Sequence, residues 1–344
     1  MTTIAVGTEK GGYLVEDKGG GWSVTGPNFS GWKVTALGSA PDGTHLAALG
    51  SNWYGVGIQR SDDLADWKQV DQPPGWPEGT ERKMEQIWTF HTSGDRIWAG
   101  VAQAGVFTSD DGGITWVPVD GLNEHPTREH WYPGLGGLCA HRIHIDGPTQ
   151  WVAISAVGVF RSDDGGVTWE PKNDGIDPVG LPEGAERPEV GYCVHCIAHD
   201  PSDPMRIWRQ DHSGVYRTYD GGDNWEKIEE GLPASFGFVM WRDRSSGRLL
   251  TIPLEASDNR LPVDGRLQVY RSDDDGGHWE VAGTGWRDAP QFTGVLRGAF
   301  DGDGEGTFCF GTTGGKLWLT RDNGESWEEL DPAFPRIGAI RVIV

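Results

Sequence analysis

The sequence predicts an all-β fold, a seven-bladed β-propeller of four-stranded blades. Three observations predict it: a short box that recurs along the chain, the regular spacing of the tryptophan that ends it, and the way the two chain ends complement each other. Five segments fit S/T-x-D-x-G-x-x-W without gaps: SDDGGITW (109–116), SDDGGVTW (162–169), TYDGGDNW (218–225), SDDDGGHW (272–279) and TRDNGESW (320–327). VEDKGGGW (15–22) lacks only the hydroxyl, and SDDLADW (61–67) is one residue short and lacks the glycine. The closing residues Trp22, Trp67, Trp116, Trp169, Trp225, Trp279 and Trp327 stand 45, 49, 53, 56, 54 and 48 residues apart, so the unit occurs seven times.

Each box follows a β-like run such as GVF, GVY or KLW and precedes another such as VPV, KIEE or EEL, which places it in a hairpin turn. The Asp carboxylate suits the turn's backbone N–H groups, Gly tolerates positive φ, and Trp covers the hairpin with an apolar face. Two further apolar runs lie upstream in each unit, for example CVHCIAH and RIWRQ before GVYRTYDGG. Four strands per unit make a propeller blade.

The chain ends extend this reading. TTIAVGT and GGYLVED, at the start, correspond to second and third strands, whereas RIGAIRVIV (336–344) is a strand without a blade. The last strand is therefore expected to join the N-terminal blade as its innermost member and close the ring. The expected organisation is a single domain over 1–344, with blade one at 1–27 plus 336–344 and blade two at 28–73. Blades three to seven are expected at 84–120, 137–172, 190–231, 234–283 and 291–331.

Composition narrows the function classes. No stretch reaches the roughly 18 apolar residues of a membrane helix, and the opening MTTIAVGTEKGGYLVEDKGGGW has neither a basic n-region nor an apolar h-region, so a soluble, cytoplasmic chain is expected. Lys plus Arg (29) against Asp plus Glu (51) gives a net charge of −22, which disfavours nucleic acid and anionic membrane surfaces as partners. The four cysteines, Cys139, Cys193, Cys196 and Cys309, are too few for a disulfide framework and are read as thiols.

With these boxes, the chain resembles Asp-box (BNR repeat) propellers along its whole length. That group includes sialidases, xyloglucan-active glycoside hydrolases, the sortilin ectodomain and the photosystem II stability and assembly factor. The resemblance specifies fold more than function. Asp111, Asp164, Asp220, Asp274 and Asp322 recur in blade after blade and are read as structural, and Arg161, Arg217 and Arg271, each just before a box, as edge-strand surface or box support.

The boxes occupy one rim, so a site is expected on the other, where connections 71–84, 118–136 and 171–190 and the internal loop 254–266 are long. There, GLCAHRIHID (137–146) matches GYCVHCIAHD (191–200) at an offset of 54, both read as innermost strands. Counting back from the RIW strings of blades three and five puts Glu85 at the level of His195 and His141. Glu85, His141, His195 and His212 are therefore the candidate catalytic residues, and His141, His195 and His212 the candidate ligands of a divalent metal ion. Arg128, His130, Trp131, Arg187, Gln210, Asp211, Arg260 and Arg297 are the candidate ligand-binding residues, with Trp53, Tyr54, Trp76 and Tyr132 as further rim aromatics. The competing reading is blade-to-blade packing, each imidazole satisfied by a neighbouring carbonyl; a Cys/His zinc site using Cys139 or Cys193 is a third, without C-x-x-C support. His91, His144, His199 and His278 are read as structural.

Sialidase chemistry does not transfer, because the Phe/Tyr-Arg-Ile-Pro segment is missing and none of Tyr13, Tyr132 or Tyr192 can be assigned as nucleophile. Xyloglucan-active enzymes use two propellers in a longer chain. A glycosidase needs two flanking carboxylates, with Glu85, Glu129, Asp211 and Asp258 as candidates. The expected function is a glycoside-hydrolase-like hydrolase or lyase with a His-lined mouth, acting on a small-molecule or glycan ligand, with a divalent metal ion as the candidate cofactor. The alternatives are a non-catalytic scaffold presenting its loop-rich rim to a protein partner, and a lectin-like binder.

Overall fold

The computed structural model describes residues 2–178, 180, 185–256 and 259–343. It contains seven four-stranded antiparallel blades. Five are separate sheets, and the first and seventh are linked into one eight-stranded sheet by a single parallel bridge, Gly298 to Ala339. The innermost strands are Ile337–Ile343, Lys33–Ser39, Ile87–Ser93, Cys139–Asp146, Val194–Asp200, Phe236–Arg242 and Val295–Gly302 for blades one to seven. No helix among the described residues is long and apolar enough to cross a membrane.

Ring closure is made by the two ends of the chain. Ile337–Ile343 pairs antiparallel with Thr3–Thr8 and is the innermost strand of blade one, with Ile337, Ala339 and Ile340 buried. Backbone pairing and apolar burial together lock Thr3–Thr8 and Ile337–Ile343 into one sheet.

The boxes form the turns between third and fourth strands. In blade four, Asp164 accepts hydrogen bonds from the Ser162 hydroxyl (2.8 Å), the N–H groups of Val167 and Thr168 (3.0 and 2.9 Å) and the Thr168 hydroxyl (2.6 Å). Gly165 and Gly166 adopt φ of +78° and +93°, the left-handed region that a side chain would oppose. The glycine-poor box of blade two folds the same way, with Leu64 held at φ +65° while Asp63 accepts from the N–H groups of Ala65 and Asp66.

Boxes also join blades. Trp151 of blade four donates to the Gly221 carbonyl in the blade-five box (2.9 Å), and Trp208 of blade five to the Asp275 carbonyl in the blade-six box (3.1 Å). Arg161 and Arg217 reach the same two turns, at Asp220 O and Asp275 O (3.1 and 3.0 Å), and Arg271 pairs with Glu325 in the box of blade seven (2.6 Å). Each of these arginines supports the box of the following blade.

Two outcomes follow. Deleting residues 336–344 strips blade one of its inner strand and removes the closure; the truncated chain should lose its cooperative thermal transition in near-UV circular dichroism, and retention of a full-length-like transition would contradict this closure. The second outcome concerns acid. The Thr168 hydroxyl, then the Thr168 N–H and the Ser162 hydroxyl, hold the Asp164 carboxyl down at about 2, and at Asp111 the hydrogen bonds from Thr115 and Ser109 outweigh burial and leave the group at about 2. A carboxyl lower in the folded state than its ordinary 3.8 contributes stability that is complete above that value and lost as pH falls through about 2. Melting temperature should fall across that window, and Asp111→Asn with Asp164→Asn should flatten the fall while lowering the plateau.

Candidate functional site

Inner strands enter from the face opposite the boxes, because three antiparallel strand lengths separate the start of the first strand from the turn before the fourth. Near its entry, every inner strand slips register against its second strand. The residues left over are Gly338, Thr35, Trp88, His141, His195, the pair Phe238 and Val239, and the stretch 296–299 for blades one to seven. A bulge re-aims a side chain that regular pleating would place between sheets. Gly338, Thr35, Trp88, His141, His195, Phe238, Leu296 and Arg297 all line one central cavity of about 480 Å³.

Charge distinguishes this mouth from the rest of the molecule. Its lining includes Lys33, Arg142, Arg260, Arg297 and Arg336, against one carboxylate among the described residues, Glu9, which pairs with Lys33 at 3.7 Å. Arg297 donates to the Ser155 hydroxyl (3.2 Å) and lies 4.8 Å from the centre of the Phe238 ring. Its Nε is buried without a hydrogen-bond partner, it has no ion pair among the described residues, and burial lowers its pKa. Arg260 lies 5.5 Å from the same ring, and Arg142 reaches the Cys196 sulfur at 3.0 Å.

The two histidines of the mouth are tied to the next blade. His141 donates through Nε2 to the Val194 carbonyl (3.0 Å), and His195 through Nδ1 to the Gly237 carbonyl (2.7 Å). Burial, with Arg297 adding, pushes both well below the ordinary imidazole value, so both are neutral near neutrality. The carbonyl fixes the His195 tautomer and leaves the Nε2 lone pair facing Cys193 Sγ at 3.5 Å. His212 packs beside His195, ring centroids 5.8 Å apart. Among the described residues, the potential metal donors that converge within 4.8 Å of one another are Cys193, His195 and His212. His141, expected beside His195 and His212, is not of that group, and Cys193 is.

Other expected residues fall elsewhere. Glu85 is exposed, accepts from Gln103 (2.8 Å) and lines a separate pocket with Arg82, Arg128 and Trp131. Trp88 holds the place in the mouth that was expected for Glu85. The reason is strand pairing: Thr92 pairs with Ile97 in blade three, whereas His199 pairs with Ile207 in blade five, so counting back from RIW overshoots by three residues. Arg128 donates to the carbonyls of Ala104 (2.7 Å) and Gln103 (2.5 Å) and covers Trp131, which is only 6% exposed and packs on Phe160. Neither is open to a ligand in the mouth. His130 is exposed beside Glu129 (3.6 Å), and Arg187 folds onto Asp177 and the Ile176 carbonyl (2.9 Å). Gln210 is consumed by the Ser235 carbonyl and the Thr251 hydroxyl (2.7 and 3.1 Å). Asp211 forms a buried ion pair with Arg209, Nε to Oδ2 2.8 Å. Asp258 lies outside the described residues.

At the far side of these strands His91, His144 and His199 gather, the last two stacked at 3.7 Å; burial first lowers His91 to about 3 and His144 to about 4. Sequence reasoning missed Lys33, Thr35, Trp88, Arg142, Phe238 and Arg336. Their signal was positional: Thr35, Trp88, His141 and His195 each directly follow a buried apolar residue at the strand entry, namely Val34, Ile87, Ala140 and Val194.

Comparison with known proteins follows the same lines. The family model for the BNR/Asp-box repeat matches residues 107–118 and 160–171, the hairpins of blades three and four. The chain folds as a β-propeller that carries BNR/Asp-box repeats. Similar solved structures include YCF48 bound to a D1 peptide, at 15% identity, 90% of this chain, 87% of that chain and a TM-score of 0.54. YCF48 from Cyanidioschyzon merolae is similar at 11% identity, 91% and 88% coverage and a TM-score of 0.56. An ancestral GH74 enzyme is similar at 14% identity over 87% of this chain but 36% of its own, with a TM-score of 0.50. At these identities the likeness is one of fold. No curated protein matches the chain in sequence.

Proposed function

We propose that this Asp-box propeller is a binding protein whose central mouth takes an anionic group, a carboxylate or phosphate, presented by a small ligand or by the end of a peptide. The observation that carries the reading is Arg297: a largely buried guanidinium, without a carboxylate partner among the described residues, facing a cavity shared with four other cationic side chains. An uncompensated buried charge is costly, and an incoming anion removes that cost while accepting charge-assisted hydrogen bonds. Trp88 and Phe238 supply flat apolar walls for the remainder of the ligand.

Glycoside hydrolysis has less support in this mouth. Its one carboxylate among the described residues is already paired with Lys33, and Glu85, Glu129 and Asp211 do not line it. A peptide is a reasonable form for the anion, since a propeller of the same fold has been solved bound to one.

Isothermal titration with citrate, inorganic phosphate and a short peptide with a free C-terminal carboxylate tests the proposal. At least one should bind, with affinity falling as salt rises; Arg297→Gln should weaken it about 10- to 100-fold, as for loss of hydrogen bonds to a charged group worth ~1.5–3 kcal/mol. Glu9→Gln should leave binding intact or strengthen it. Absence of binding by the folded wild type, or affinity unchanged in Arg297→Gln, would refute the reading.

A further inference from the structure

A second feature lies beside the mouth and depends on different atoms. Cys193 stands just before the inner strand of blade five and His195 at its bulge, and the bulge turns the imidazole so that Nε2 comes to 3.5 Å from the Cys193 sulfur. His212 is brought opposite them by a backbone hydrogen bond, its N–H donating to the Cys193 carbonyl at 3.0 Å. Two strands of blade five therefore deliver a thiol and two imidazoles to one point, with all donor atoms within 4.8 Å of one another.

The chemistry and spacing of these donors match a particular class of ion. A tetrahedral zinc centre, with Zn–S of about 2.3 Å and Zn–N of about 2.0–2.1 Å, separates a sulfur ligand from a nitrogen ligand by about 3.6 Å. Cys193 Sγ and His195 Nε2 stand 3.5 Å apart. His195 is oriented as metal-binding imidazoles usually are, its other nitrogen donating to a backbone carbonyl, that of Gly237, at 2.7 Å. Hard oxygen-seeking ions are poorly served by sulfur and imidazole, whereas zinc and its neighbours among the first-row metals suit both. Asp211, the nearest carboxylate in sequence, is committed to Arg209 and Ser213 and does not compete.

We propose that Cys193, His195 and His212 form a divalent-metal site of the zinc class, with three protein ligands and one coordination position left for water or a ligand atom. Three-ligand sites are the pattern of zinc centres that exchange a bound molecule, in contrast to closed four-ligand structural sites. Ser155 connects this site to the mouth: its hydroxyl is 3.9 Å from Cys193 Sγ and accepts from Arg297 at 3.2 Å. The site does not rest on the anion-binding reading, since none of its three donors is used there.

Cobalt(II) reports on such a site directly. Full-length protein, stripped with chelator and kept reduced, is titrated with cobalt chloride and followed by absorption. The wild type should bind one equivalent with a thiolate-to-cobalt charge-transfer band and visible bands of tetrahedral intensity, both erased by added zinc. Cys193→Ser should abolish the charge-transfer band. His212→Gln should weaken cobalt binding by more than about 100-fold, above the 10–100-fold typical of merely supporting residues. Circular dichroism of each variant checks the fold, and exposed His130→Ala serves as a control with an unchanged spectrum. A folded wild type without the band, a band that survives Cys193→Ser, or a titration unaffected by His212→Gln would overturn the proposal. Arg297→Gln should retain the band, so failure of the anion reading and failure of the metal site give different results.

Discussion

Pairing of Ile337–Ile343 with Thr3–Thr8 is the constraint on which the molecule depends. A propeller has no central element of its own; its axis exists only because the inner strands are held in a ring, and one missing link turns the ring into an open stack with two unprotected faces. Closure forces the inner strands close together, and small residues make room. A Cβ on Gly100 would stand 2.3 Å from the Ala140 carbonyl of the next blade, and one on Gly298 would stand 2.8 Å from the Gly338 carbonyl. The boxes then fix blade spacing at the periphery, where Trp151, Trp208, Arg161 and Arg217 each grip the following turn.

The mouth follows from the same geometry. Regular alternation would send inner-strand side chains into the spaces between blades, where packing leaves room for Ile, Val and Ala. A register slip at each entry breaks that alternation and turns side chains toward the axis. The bulge is common to the blades while its residue is not: Thr35, Trp88, His141, His195, Phe238 and Arg297 differ in size, charge and polarity. The fold thus supplies a ring of variable positions whose backbone is fixed by the neighbours. His141 and His195 show how firmly, since each is anchored to a carbonyl of the adjacent blade.

The parts of this design that repeat were legible in the sequence, and the parts that occur once were not. The tryptophan spacing gave the blade number, and the strand without a blade at 336–344 gave the closure, because both are enforced in every turn or at both ends. The failure at Glu85 came from assuming that blade-to-blade periodicity extends to strand pairing; the two hairpins turn equally tightly, Ser93 pairing with Arg96 and Asp200 with Asp203, but in blade five Pro204, Met205 and Arg206 bulge out before Ile207 pairs with His199. Trp131 looked like a rim aromatic because its loop is long, but the loop folds into two short helical turns that carry the ring under Phe160. The convergence of Cys193, and not His141, with His195 and His212 depends on which ring nitrogen meets which carbonyl. That is a matter of Ångström-scale register between blades, and no single-strand pattern contains it.

The acidic balance of the chain bears on selectivity rather than on affinity. A net charge of −22 repels anions at long range, but at physiological ionic strength that repulsion fades beyond about 8 Å from the surface. Inside the mouth the balance reverses, because five cationic groups face one carboxylate among the described residues. An extended polyanion must hold many of its charges against the acidic exterior and gains only at one point, whereas a compact anion leaves the repulsive region entirely once it is inside. On the proposed anion-binding reading, the same cations that would mark a nucleic-acid surface in a basic protein would act here as a short-range filter for small or terminal acidic groups. Arg297 sets the end of that filter, where its guanidinium meets the Phe238 ring and the Ser155 hydroxyl.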